Sequence, residues 1–349
     1  MFAKRWWAKP DAGPPALSLA LQGGGAHGAY TWGVLDRLLE EGLPLDGVSG
    51  TSAGAMNAVA LAQGWMTGGP EGARESLTGF WEAVADSTPF ELDLLHSFNP
   101  SGDGSLPGPV AAMLAWTRHF SPYQLNPFQL TPLRDVVRAR FDFERLRRDC
   151  RLRLFIAATR VRTGKVRLFR TAELSEEALL ASACLPTLHH AVEIEGEAYW
   201  DGGFTANPAV YPLMYECAAP DILLVLLNPL VREEAPRSAE QIAARSMELG
   251  FSTTFLREMR MIAQARAYIG EGKGWMPLGR FERKLMSLRF HMIEAEELAA
   301  VGNGSKLNAT RAFLHELRDL GRARAARWLR LHRGALGHRE SVDVAGLFS

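Results

Sequence analysis

The sequence predicts an α/β protein, a three-layer α/β/α arrangement around a mostly parallel central sheet, followed by a helical C-terminal region. Three observations predict it. Ala16–Leu21 and Asp221–Asn228 are short, nearly continuous apolar runs, as strands buried on both faces are. Helix-period segments alternate with strand-like runs as far as Asn228. Beyond Pro236 the strand signals stop and long helical stretches take over.

Taken in order, Ala16–Leu21 ends at Gln22 and three glycines, Gly23, Gly24 and Gly25, where a buried strand would enter a turn that exposes backbone N–H groups. From Ala29 the pattern is helical, with Tyr30, Val34, Leu35, Leu38 and Leu39 on one stripe and Gly42 as a stop. Val48–Thr51 is β-compatible and Ala53–Ala62 is a small-residue helix, so Ser52 falls at a sharp strand-to-helix turn. Between Pro89 and Pro132 periodicity is lost and Pro, Gly, Phe and Trp accumulate around one short apolar stretch, Val110–His119. The segment 89–132 exceeds a normal connection and reads either as a lid over a substrate path or as an insert packed on the core. Thr131 and Pro132 then supply an N-cap and first helical position for a helix through Arg140. Leu152–Val161 and Val166–Arg170 read as strands about a Thr163-Gly164-Lys165 turn, and Val192–Tyr199 as a hairpin. Ser238–Ile269 and Lys306–His332 are helical.

The glycine cluster Gly23-Gly24-Gly25-Ala26-His27-Gly28 and the segment Gly50-Thr51-Ser52-Ala53-Gly54 share the span of one β-α-β unit. Either alone is an ordinary turn pattern; together they point to acyl transfer. Ser52 would sit on a nucleophile elbow, where Gly50 and Gly54 permit close backbone approach. The N–H groups of the loop and the positive end of its helix would face an oxyanion. A tight turn with a helix-capping serine is the plainer alternative.

A serine nucleophile needs a base. His27, His189 and His190 are candidates without a local signature. Asp201, in Tyr199-Trp200-Asp201-Gly202-Gly203, follows the hairpin and opens a glycine turn, and a carboxylate within hydrogen-bond reach can act as base without histidine. Asp-Gly is also a common turn dipeptide, so a plain turn competes with that role.

The order Gly-Gly-Gly-x-x-Gly, Gly-x-Ser-x-Gly, Asp-Gly-Gly resembles the patatin-like phospholipase family, lipid acyl hydrolases with a Ser-Asp dyad. The resemblance covers about Ala16 to Asn228 and includes Ala181–Pro186 ahead of the Asp motif. It implies Ser52 as nucleophile, Asp201 as base, and N–H groups among Gly23, Gly24, Gly25 and Ala26 as the oxyanion hole, with His27, Gly28, Gly50, Gly54, Gly202 and Gly203 as supporting positions. Family members often carry Arg or Lys where this chain has His27, and a histidine there shifts weight from phospholipid toward neutral ester if that basic residue holds a phosphate. The implied plan is a flexible tail over 1–15, a catalytic domain over 16–228 and a helical extension over 229–349. The implied substrate is a lipid ester, and neither a cofactor nor a metal is called for.

Composition agrees. Lys plus Arg and Asp plus Glu both number 39, so no global charge favours nucleic acid. The three cysteines, Cys150, Cys184 and Cys217, are scattered and form neither a disulfide framework nor a metal-ligand pattern. No secretory signal or membrane-length apolar run is visible, which reads as cytoplasmic. Two features could touch a membrane peripherally: Lys4-Arg5-Trp6-Trp7, otherwise a disordered tail, and the amphipathic helix carrying Arg318, Arg322, Arg324, Arg327, Arg330 and Arg333. The competing reading of that helix is packing on the catalytic domain with a solvated arginine face.

Two rival functions differ in class. Gly23-x-Gly25-x-x-Gly28 also fits a dinucleotide-binding fingerprint, but the acid it needs at the end of the second strand is missing: Asp46 precedes Val48, and Ser52 holds the strand's end. A catalytically inactive lipid-binding protein is the other, and it predicts no covalent labelling at Ser52.

Overall fold

The computed structural model describes residues 15–87, 121–126, 131–232, 235–271, 277–301 and 303–349. All of the expected tail over 1–15 except Pro15, with Lys4–Trp7, and most of the insert over 89–132, with Val110–His119, lie outside the described residues.

The described strands form one eight-stranded sheet: β1 (Leu17–Leu21), β2 (Leu45–Thr51), β3 (Arg153–Arg160), β4 (Val166–Arg170), β5 (Val192–Ile194), β6 (Glu197–Asp201), β7 (Asp221–Leu226) and β8 (Arg289–Glu294). Their order is β5-β6-β3-β2-β1-β7-β8, with β4 beside β3. The run β3-β2-β1-β7-β8 is parallel, while β4, β6 and β5 pair antiparallel. The mostly parallel sheet is the one the sequence predicts.

Both faces of the central strands are buried, which explains their apolar runs. Leu19, Leu21, Leu223 and Val225 face one cluster, which includes Tyr30 and Trp32 of α1 (Gly28–Leu39), Leu61 of α2 (Ala53–Asp86) and Leu317 of α10 (Arg311–His332). Ala20, Ile222, Leu224 and Leu226 face a second cluster, with Leu213 of α7 (Tyr211–Glu216), Phe255 and Met259 of α8 (Ala239–Glu271) and Phe348 of α11 (Val344–Phe348). The period of two along each strand thus sorts side chains into two helical layers. The remaining described helices are α3 (Pro122–Leu125), α4 (Pro132–Arg140), α5 (Phe143–Asp149), α6 (Glu176–Ser182) and α9 (Arg280–Ser287).

Three features go beyond the sequence reading. The helix after Ser52 does not end near Ala62 but runs to a break at the non-helical Gly68 and Gly69, and a second helical stretch from Pro70 completes α2 to Asp86. The region beyond Asn228 is mostly helical, as expected, but it also supplies β8, which pairs in parallel with β7 as the sheet edge. The arginine-rich helix α10 docks on α1 so closely that a Cβ on Gly33 would strike the Arg318 carbonyl, and one on Gly321 the Tyr30 carbonyl. Several of its arginines form ion pairs, Arg322 with Asp36 and Glu40, Arg311 with Glu82 and Asp86, Arg324 with Glu296 and, just past its end, Arg333 with Glu41, while Arg327 and Arg330 stay exposed on the outer face. Among the described residues no helix is long and apolar enough to cross a membrane.

Candidate active site

The sheet brings Ser52 and Asp201 together at the carboxyl edge of its parallel strands, where α/β sheets hold their ligands. Ser52 lies between the end of β2 and the start of α2 with φ 54° and ψ −122°, a strained conformation for a residue with a Cβ. In register, Thr51 lies beside Ala157, and Ala158 beside Asp201, so β3 carries the two motifs to one edge. The Ser52 side chain lies near enough to the Asp201 carboxylate to favour its charged form, and Oδ1 of that carboxylate accepts the Gly203 N–H at 2.7 Å. Asp201 is only 2% exposed. Burial pushes its carboxyl up to about 7, against the Gly203 N–H and the Ser52 side chain, which favour the charged form. A serine beside a buried carboxylate of raised proton affinity is the arrangement that a nucleophile and its general base would need.

Around this pair the backbone is held by side chains that the motifs did not flag. The Ser52 N–H donates to Ser182 Oγ at 2.9 Å, and the Asp201 N–H to the Cys184 carbonyl at 2.8 Å, so Ala181–Pro186 buttresses both. Thr51 Oγ1 donates to the Ala206 carbonyl at 2.6 Å, and Thr159 Oγ1 to the Asp201 carbonyl at 2.8 Å. Asn57 accepts the Trp81 indole N–H at 2.9 Å and donates to the Gly28 carbonyl at 2.9 Å, joining the glycine loop to α2. An asparagine within an alanine-rich buried run was a signal for this role. Asn207 carried none.

The glycine loop lies directly over Ser52: a Cβ on Gly23 would meet the Thr51 carbonyl at 2.6 Å and Ser52 Cβ at 2.7 Å. Gly23 departs from the oxyanion set, because its N–H already donates to Asn207 Oδ1 at 2.7 Å. The N–H groups of Gly24, Gly25 and Ala26 have no protein acceptor among the described residues, and they open the short 3-10 turn that leads into α1. Gln22 braces the loop by accepting from the Leu227 N–H at 2.7 Å and the Asn228 N–H at 2.9 Å. Gly28, Gly54, Gly202 and Gly203 pack against Ala53, the Leu21 carbonyl, the Ala157 carbonyl and the Phe251 ring, and Gly50 against the Gly54 carbonyl.

None of the three candidate histidines bonds to Ser52 among the described residues. His27 is 2% exposed, its Nε2 is 2.7 Å from Ser305 Oγ, and burial together with the Lys306 charge lowers it to about 3, so it is neutral. His189 and His190 line a separate cavity of about 410 Å³ with Tyr123 and Leu180. There the His190 ring lies tilted against Tyr123 of α3, ring centroids 4.0 Å apart. The dinucleotide fingerprint fails in three dimensions as well: Asp46 sits at the opposite edge, accepting from Ala218 and Ala219 and paired with Arg153. Among the described residues no three His, Cys, Asp or Glu side chains gather as metal ligands would.

Fold and site define a class: a three-layer α/β protein with a serine on a strained strand-to-helix turn beneath a glycine loop. The family model for patatin-like phospholipase matches residues 19–214, and the chain belongs to that family of lipid acyl hydrolases. No curated protein matches the sequence. Among solved structures, VipD from Legionella pneumophila is 15% identical with a TM-score of 0.39, covering 93% of this chain and 70% of that one. A chain of the heterodimeric ExoU–SpcU complex from the type III secretion system of Pseudomonas aeruginosa is 18% identical with a TM-score of 0.30, covering 96% of this chain and 74% of that one.

Proposed function

We propose that this protein hydrolyses fatty acyl esters of lipids, as a phospholipase A or a lysophospholipase-like esterase, through a Ser52–Asp201 dyad and an acyl-enzyme. Asp201 takes the Ser52 proton as the serine oxygen attacks the acyl carbonyl. The N–H groups of Gly24, Gly25 and Ala26 receive the oxyanion, aided by the positive end of α1. Collapse of the tetrahedral intermediate expels the alcohol, which takes the proton from Asp201. Water, deprotonated by the same carboxylate, then releases the fatty acid.

The observation that carries this reading is the strained Ser52 turn brought by β3 to the same edge as Asp201, a buried carboxylate whose affinity for a proton is raised by burial. A fluorophosphonate probe read by intact mass tests it. Stoichiometric labelling of wild type, lost in Ser52→Ala and Asp201→Asn, is the expected result. A folded wild-type protein that stays unlabelled favours the inactive lipid-binding reading instead. Peripheral contact with a membrane, through the N-terminal segment or the helical region, belongs to the same proposal, and sedimentation with anionic vesicles tests it.

A further inference from the structure

One strand beyond the glycine loop, the C-terminal region places Lys306 at the carboxyl edge. Its carbonyl lies against Gly25, where a Cβ would strike it, and its neighbour Ser305 holds His27. Lys306 Nζ donates to Asn228 Oδ1 at 3.0 Å, just past the end of β7. Among the described residues Lys306 has no ion pair. The nearby carboxylate, Glu248, is 5% exposed and already shared by Arg232 at 2.6 Å and Arg245 at 2.9 Å. Two arginines therefore share one carboxylate, within electrostatic reach of Lys306. Arg232 Nε is buried with no acceptor among the described residues, although both Arg232 and Arg245 keep part of their surface open.

Positive charge partly sheltered from water and in excess of its carboxylate partners favours an anion that completes it, and buried donors seek acceptors. Burial lowers the pKa of the Lys306 ammonium; Glu248 opposes that shift and Arg232 reinforces it. The strand order β2-β1-β7 sets the end of β7 about 10 Å from the end of β2, at the usual spacing of neighbouring strands. The glycine loop lies between them. A few bonds separate an acyl carbonyl from the phosphodiester of a glycerophospholipid, which suits an ester over the loop with its phosphate toward Lys306.

We infer that Lys306, supported by Arg232 and Arg245, binds the phosphate of a glycerophospholipid and makes the C-terminal region a determinant of head-group specificity. This rests on the lipid-ester reading of the Ser52 site. A phosphate oxygen would accept from Lys306 Nζ and from the unpaired Arg232 Nε, both charge-assisted bonds.

The test is equilibrium binding to the full chain of a short-chain diether glycerophosphomethanol and of the matching diether glycerol, neither of which a hydrolase can cleave. Wild type is expected to bind the phosphate-bearing ether roughly ten- to a hundredfold more tightly. That gap should close in Lys306→Met and reopen in Lys306→Arg, and it should narrow in Arg232→Met, which serves if Lys306→Met does not fold. Equal binding of the two ethers by wild type, or a gap that survives in folded Lys306→Met, overturns the assignment. Inorganic phosphate binding as tightly as the diether phosphate also overturns it, because the site would then take a free anion. Fluorophosphonate labelling of Ser52 is read separately, so a failed phosphate subsite and a failed hydrolase are told apart.

Discussion

Asp201 and Asp221 are both shut inside the protein, 2% and 0% exposed, at opposite edges of the same sheet. At the amino edge, Asp221 is surrounded by donors: both oxygens pair with Arg289, and Oδ1 also meets His291 Nε2 at 2.9 Å and the Gly337 N–H at 3.0 Å. Although burial alone would raise it, these partners hold its carboxyl well below the ordinary range. His291 also reaches Ser341 Oγ at 3.0 Å, so a serine, a histidine and an aspartate stand in line there. That aspartate is neutralised by an arginine, and the group ties β7, β8 and the C-terminal segment together. At the carboxyl edge the Asp201 carboxylate accepts the Gly203 N–H and has no charged partner among the described residues, and burial wins. Compensation of a buried charge marks a structural aspartate here; its absence marks the proposed base.

Ser52→Ala and Asp201→Asn sharpen this contrast most, each lowering ester hydrolysis by roughly 10⁴-fold or more while circular dichroism stays native. An active Asp201→Asn enzyme would remove Asp201 as the base and reopen the histidines. Asp221→Asn should do the reverse. Leaving Arg289 without its charged partner is expected to cost about 3–5 kcal/mol of unfolding free energy in denaturant titrations. Ser52 should still be labelled wherever that variant is folded.

The pH dependences should run in opposite directions. With its folded pKa raised to about 7, Asp201 binds more protons in the native than in the unfolded state between pH 4 and 7. Its contribution to stability therefore falls as pH rises through that window, by up to about 4 kcal/mol for a shift of this size. Asp201→Asn should accordingly be more stable than wild type at pH 8, with the advantage fading toward pH 4. Over the same range kcat/KM should rise with pH to a plateau above about 7, because the base must be ionised. Asp221, depressed in the folded state, stabilises above the ordinary carboxylate range, and that contribution is lost on acidification below it. A flat activity profile between pH 5 and 8 would contradict the titration assigned to Asp201.

Smaller effects are expected from the supports. Asn207→Ala leaves the Gly23 N–H buried without its acceptor, for a loss of about 1–3 kcal/mol by thermal melts and a matching fall in turnover. Arg322→Ala, on the half-exposed α10 network, should change stability by no more than about 1 kcal/mol, and less at high salt.

Much of the candidate site was legible because glycine requirements and strand periodicity are local. Gly23 is forced by the approach of Ser52 Cβ, and the apolar runs of β1 and β7 follow from burial on two faces. Gln22, Asn207, Ser182 and Lys306 were not legible. Each matters through a partner distant along the chain, such as Ser182 Oγ on the Ser52 N–H, and polar residues in loops have no period to betray them. The strand β8 was missed for a related reason: Arg289–Glu294, with His291 and two charged ends, lacks the continuous apolar pattern of its neighbours.

By itself the sequence determined the layered α/β class, the elbow at Ser52 and the loop at Gly23–Gly25, because periodicity and steric need are written in neighbouring residues. The tertiary structure alone decided how the Ser52 and Asp201 motifs come to one edge of the sheet, which loop N–H groups find no acceptor among the described residues, that the C-terminal region completes the sheet, and that Lys306 stands beside the loop. Those outcomes depend on strand order and on the electrostatics of burial, which arise only when distant segments exclude water together.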